Sequence, residues 1–125
     1  MILIEDILEV HQFSIDKYGG SNGVRELGSL QSAIARPFQT FDGEDLYGTI
    51  FEKAAALGES LITNHPFVDG NKRTGFIAMT ALLENEGYFL TATQEDAYDF
   101  TIKIATGETK FEDIIDWLKN KSVTL

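Results

Sequence analysis

No cysteine occurs among the 125 residues of this chain. That absence excludes a disulfide-stapled scaffold and cysteine-ligated zinc, and it agrees with a reducing compartment. Long apolar runs are missing too, since no stretch approaches the roughly 18 residues that a membrane-spanning helix needs. The start, Met1-Ile-Leu-Ile-Glu-Asp6, lacks a basic leader region and meets its first acid at Glu5, so it does not read as a signal peptide. Positive charge is scarce, with 10 bases against 20 acids and a net charge of −10. So acidic a surface matches nucleic acid and anionic lipid poorly, because their phosphates need clustered Lys and Arg. It serves solubility and suits a basic protein partner. The expectation is a soluble, cytoplasmic protein that touches neither nucleic acid nor membrane directly.

Repeats, low-complexity tracts, linkers and strict two-residue alternation are also absent. With 43% of residues hydrophobic, the chain has enough material for one core, and residues 1–125 read as a single domain. Helical periodicity dominates. Ile4, Leu8, His11, Ile15 and Tyr18 form a stripe over about 2–18, which Gly19-Gly20 ends. A short helix is expected from Ser29, as its cap, to Arg36, where Pro37 stops it. Residues 37–43 read as an extended loop. A central helix over about 44–63 carries Leu46, Ile50, Ala54, Leu57 and Leu61, and a second, nearly all-apolar one runs over about 71–86. Thr93 can cap a helix over 94–106, and Thr109 with Glu112 forms a capping box for a last one over 110–121. The fold class expected is all-α, a bundle of about six helices.

The two most apolar helices are joined by the most polar short loop, His65-Pro-Phe-Val-Asp-Gly-Asn-Lys-Arg73. Rigid helices on both sides would position such a loop for chemistry. The helix after it begins near Asn71, so its first unpaired N–H groups face the loop and favour an anion. Lys72 and Arg73 fall in that first turn, where cations oppose the helix dipole and are disfavoured unless an anion sits beside them. Gly70 allows a phosphate close to the backbone. Asp69 could hold Mg²⁺, which takes one or two carboxylates together with phosphate oxygens and water. His65 is the nearby group suited to accept a proton near neutral pH. An anion cradle, a metal carboxylate and a base together describe phosphoryl or nucleotidyl transfer to a hydroxyl.

The pattern His65-x-Phe67-x-Asp69-Gly70-Asn71-x-Arg73 resembles the signature of the Fic/Doc (Fido) family. The stretch Gly19 to Gly75 is similar to the death-on-curing branch over most of its length, while 88–125 resembles it in helical pattern. The resemblance implies a Fic/Doc-like helical fold, His65 as general base, Phe67 as loop anchor and Asp69 as Mg²⁺ ligand. It further implies that Gly70, Asn71, Lys72 and Arg73 hold the phosphates of ATP. Two departures bear on the reaction. Lys72 stands where adenylylating members have Gly for close approach of the nucleotide, and Phe76 stands where they have a second Arg for its terminal phosphate. Lys-Arg-Thr is the death-on-curing pattern, which implies ATP bound in reversed orientation and transfer of its γ-phosphate to a Ser or Thr hydroxyl. Elongation factor Tu is the implied target and blocked translation the implied result. The implied setting is a toxin held in check by a cognate antitoxin. Gly70 and Gly75 sit where that branch often carries alanine. Protein adenylylation by the wider family is the alternative.

Other residues read more plainly. His11, on the apolar stripe, reads as a satisfied core or interface histidine, and Trp117 as core. Thr80-Ala-Leu-Leu-Glu84-Asn85 matches the family's inhibitory pattern formally but lies deep in a helix, and it reads as coincidence. Phe38 and Phe41 in loop 37–43 resemble a target-docking flap; tucking both rings into the core is the other reading.

Overall fold

In the computed structural model, which describes residues 2–125, six helices carry the architecture. They are α1 (Ile4–Tyr18), α2 (Leu27–Ala35), α3 (Ile50–Asn64), α4 (Asn71–Asn85), α5 (Gln94–Thr106) and α6 (Phe111–Lys121). Four short strands, β1 (Thr40–Phe41), β2 (Glu44–Asp45), β3 (Tyr88–Leu90) and β4 (Ser122–Thr124), form two antiparallel pairs, β1 with β2 and β3 with β4. The all-α expectation holds. The strand pairs escaped it because two or three residues cannot display an alternating pattern.

Helices α3 and α4 are central because both are apolar on two sides. Ala54, Ala55, Ile62, Met79 and Leu83 meet Phe100, Ile104, Ile114 and Leu118 from α5 and α6. Leu57, Leu61 and Ala78 face the other way and meet Ile7, Leu30, Ala33 and Ile34 from α1 and α2. Each large side chain fully buried in this way contributes about 1.5–3 kcal/mol. The pair packs closely at Gly75, where an added Cβ would lie 2.6 Å from Ile62 Cγ1 and 3.2 Å from the Gly58 carbonyl. This contact pins the first turns of α4, and with them the preceding loop, against α3.

Several boundaries differ from expectation. Residues 44–49 do not join the central helix: β2 takes Glu44–Asp45, and α3 starts at Ile50, with Thr49 Oγ1 accepting from the Glu52 N–H at 3.2 Å. Leu46 is consequently 52% exposed. Ser29 lies inside α2, whose cap is Glu26, accepting from the Gly28 N–H at 3.3 Å. The box at α6 sits one residue later, between Asp113 and the Lys110 N–H, while Thr93 caps α5 as expected. On α1 the buried residues are Ile7, His11, Ser14 and Ile15, with Leu8 and Tyr18 turned outward. Trp117 stacks on Phe100 with centroids 3.8 Å apart.

Residues 37–43 are not one extended loop. Arg36–Phe38 make a 3₁₀ turn, and Asp42-Gly43, both with positive φ, turn a two-residue hairpin between β1 and β2. Phe41 is 77% exposed and Phe38 half-buried, so the two rings divide between the two readings. Glu84 lies thirteen residues beyond Asn71 on α4, about 20 Å along the axis, consistent with a coincidental inhibitory match. No described helix is long and apolar enough to cross a membrane.

Candidate active site

The loop begins where α3 ends on a left-handed residue, His65, with φ 49° and ψ 56°. This conformation is uncommon outside glycine, though histidine tolerates it better than most residues. It turns the chain sharply out of the helix and leaves carbonyls without partners. Arg25 takes them, donating from Nε to the His65 carbonyl at 2.7 Å and from its terminal nitrogen to that of Asn64 at 3.0 Å. The His65 ring is exposed and has no hydrogen-bond partner among the described residues, so its nitrogens are available.

Residues 23–26 splint the next part of the loop. The Pro66 carbonyl accepts from the Arg25 and Glu26 N–H groups at 2.8 and 3.1 Å, and the Val68 N–H donates to the Gly23 carbonyl at 3.0 Å. Phe67 is buried, 1% exposed, and stacks flat on His11 with centroids 3.9 Å apart. His11, also buried, donates from Nε2 to the Asp69 carbonyl at 2.8 Å. It is a satisfied core histidine, as its place on the stripe suggested, and what it satisfies is the loop.

Asp69 turns its carboxylate outward. Oδ2 accepts from the Ser21 N–H at 3.1 Å and Oδ1 from the Gly70 N–H at 2.8 Å. These backbone donors, Ser21 first and Gly70 second, hold its pKa below the usual carboxylate range. A Cβ on Gly20 would come within 2.6 Å of Oδ2, so only glycine there lets the carboxylate approach. Gly70 is left-handed, with φ 77°, and its Cβ position is crowded by Ile15 and His11. Alanine here would be strained.

The α4 ladder begins with the Thr74 N–H bonding the Gly70 carbonyl at 2.9 Å. The N–H groups of Asn71, Lys72 and Arg73 precede it and face outward from the helix end. The three side chains fare differently. Asn71 is turned back on the loop, its Oδ1 accepting from the Phe67 N–H at 2.9 Å and its Nδ2 donating to the Phe67 carbonyl at 3.0 Å. Arg73 donates to Ser14 Oγ at 3.3 Å and to the Gly19 carbonyl at 2.8 Å, with its guanidinium 5.3 Å from the Tyr18 ring centre. Only Lys72 is exposed without a hydrogen bond or ion pair among the described residues. The expected penalty for two cations in this turn is therefore corrected for Arg73: it opposes the α4 dipole but complements the α1 C-terminus, where a cation is favoured.

The structure thus gathers Asp69, Gly70, Lys72 and Arg73 at the start of α4, turns Asn71 back onto the loop, and sets His65 at the other end of that loop as the cap of α3. Sequence reasoning missed Arg25, Ser21 and Ser14. Gly19-Gly20 offered the one local signal, and it reads equally well as a helix stop. A Mg²⁺ ion fits what is present. The described residues contain no cluster of three metal-ligating side chains, yet one exposed, ionised carboxylate beside an anion-favouring helix end is the donor set that Mg²⁺ shares with phosphate and water.

Residues 2–83, from α1 through most of α4, match the model of the Fic/DOC family. The match therefore takes in the loop and the helices that hold it. A protein of Mycolicibacterium smegmatis named Toxin Doc is 38% identical over 112 residues, covering 88% of this chain and 84% of that protein. One from Escherichia phage P1, named Protein kinase doc, is 29% identical over 115 residues, covering 92% and 90%. With the loop and its signature residues inside a family match that covers most of the chain, and a relative 38% identical over 88% of it, the chain belongs to the Fic/DOC family.

Proposed function

We propose that this chain is the toxin of a toxin–antitoxin pair and that it transfers the γ-phosphate of ATP to a Ser or Thr hydroxyl of a protein, with elongation factor Tu the expected target. The observation that carries this reading is the exposed His65, its ring without a hydrogen bond among the described residues, on a loop that is fastened by its backbone and leads into the anion-favouring start of α4. The names of the two relatives, one a toxin and one a protein kinase, support it. The cognate antitoxin is a protein, and the setting is the cytoplasm.

His65 takes the proton as the hydroxyl oxygen bonds to the γ-phosphorus and the bond from that phosphorus to the ADP oxygen breaks. The α4 N–H groups and Lys72 hold the phosphate oxygens, where fixed donors stabilise developing charge. Asp69 would share a Mg²⁺ ion with those oxygens, and the ion when bound would neutralise their charge. Gly70 supplies the left-handed turn that leads into α4 against Ile15 and His11, while Asn71 and Arg73 keep the loop and helix end in register.

The test uses ATP labelled separately at the α- and γ-phosphates, incubated with Mg²⁺, this protein and a bacterial lysate. Only the γ label should pass to protein, and mass spectrometry should find a phosphorylated Ser or Thr. Transfer of the α label would replace this reading with adenylylation.

A further inference from the structure

A cavity of about 450 Å³ lies at the end of α4 remote from the loop, between that helix, the start of α1 and the first half of α3. Its floor belongs to the core, where Ile7, Leu57 and Ala78 are buried. Half-buried apolar side chains make its walls, among them Val10, Phe38, Ile50 and Leu82. The hollow exists because α4 turns Ala78 and Ala81 toward it, three residues apart on one face, where larger side chains would fill the space. Its volume lies within the range of sites for small ligands.

The mouth is charged, and unevenly so. Asp6 and Glu86 stand at it, both exposed. Lys53 is the one base in the lining, and its ammonium is committed to Asp45 at 3.2 Å and to the Tyr47 carbonyl. Asp6 has a local role, since Oδ2 accepts from the Leu3 N–H at 3.0 Å and its charge complements the start of α1. Glu86 has none. It follows the last turn of α4, where the helix dipole is negative and a cation would be favoured. That turn carries no base, and Glu84 adds another acid to it. Neither Glu84 nor Glu86 forms an ion pair among the described residues. An apolar hollow with an uncompensated negative mouth is complementary to an apolar body that ends in a cation.

We propose that this cavity binds a small amphipathic amine, its apolar body against Leu57, Ala78 and Leu82 and its ammonium between Glu86 and Asp6. The site is separate from phosphate transfer and uses none of the loop residues. It does adjoin the hairpin, because Lys53 both lines the cavity and holds Asp45.

Three probes with one shared body test the proposal: 4-phenylbutylamine, 4-phenylbutanol and 4-phenylbutanoate, titrated into the full chain at pH 7 and followed by heteronuclear NMR. Amides of Val10, Lys53, Ala81 and Leu82 should shift. Affinity should fall from amine to alcohol to carboxylate, with at least about fivefold between the first and the last. Combining Glu86→Gln with Asp6→Asn, which keeps the oxygen that accepts from Leu3, should bring all three probes within about twofold of one another. Ala81→Trp, at an exposed position, fills the hollow and should abolish binding of all three. Absence of amine binding to wild type, or equal affinity for amine and carboxylate, overturns the proposal. So does amine binding that survives Ala81→Trp. A dimer in sedimentation velocity that Ala81→Trp dissolves would give the cavity to a second copy of the chain and overturn it as well.

Discussion

The loop 65–73 and the hairpin 40–45 are both short, polar connectors next to α3, yet they are held in opposite ways. The loop is fastened by groups distant in sequence: His11 and Ser21 on Asp69, Gly23 on Val68, and Arg25 on His65. The hairpin is fastened mainly by its own two-residue pairing and by Lys53, whose ammonium meets Asp45 at 3.2 Å and the Tyr47 carbonyl. Both hairpin strands are exposed, and Phe41 is more open than Phe67 by 77% to 1%. Chemistry needs reacting groups held to a fraction of an ångström, and under the proposed function that demand falls on the region that is over-determined. An extended segment that meets a partner's main chain needs only accessible edges.

The largest expected effect separates the loop's chemistry from its support. His65→Ala should lower phosphoryl transfer by roughly 10²–10⁴-fold, the usual contribution of a general base, with the chain still folded and only a small drop in melting temperature from alanine at a left-handed position. An unfolded variant would mean that the left-handed cap, not the imidazole, is what matters. His11→Ala should do the reverse of a clean catalytic change. It removes a buried stacked ring and the donor to the Asp69 carbonyl, for about 2–4 kcal/mol of stability in urea unfolding. A loss below about 0.5 kcal/mol would show that the loop does not depend on α1.

Arg73→Ala sharpens the comparison within the loop itself. Because Arg73 bonds the end of α1, the variant should be destabilised by about 1 kcal/mol even without nucleotide. Stabilisation instead would restore the view of Arg73 as a cation waiting for an anion. Asp69→Asn gives a smaller effect with a definite pH signature. The native pKa of Asp69 is depressed, so its contribution is present above the unfolded value and disappears as pH falls through the lowered one. The variant should lose a little stability at neutral pH and show a flatter acid limb in melts below about pH 5. A parallel offset at every pH would deny the charge any role. The hairpin should barely respond. Phe41→Ala should shift stability by less than about 0.5 kcal/mol, as surface changes do, while reducing target modification. A large loss of stability would put the hairpin in the same over-determined class as the loop.

Local physics made much of this molecule legible from its residues. Apolar spacing set out the helices, Thr93 and Gly107 marked the two ends of α5, and the polar run between two apolar helices singled out 65–73. These signals act within a turn or two of chain, so no tertiary knowledge is needed to read them. The start of α3, by contrast, depended on a hairpin too short to leave a pattern, and the cap of α2 lay with Glu26 rather than Ser29. Tertiary structure alone decided which polar groups are free. Asn71 and Arg73 look as available in sequence as Lys72, yet their partners are the Phe67 backbone and the end of α1. His11 and Asp69 stand 58 residues apart and meet at 2.8 Å. A hydrogen bond acts over about 3 Å, and whether two distant residues come that close is set by how α1 packs across α4, which no local pattern encodes.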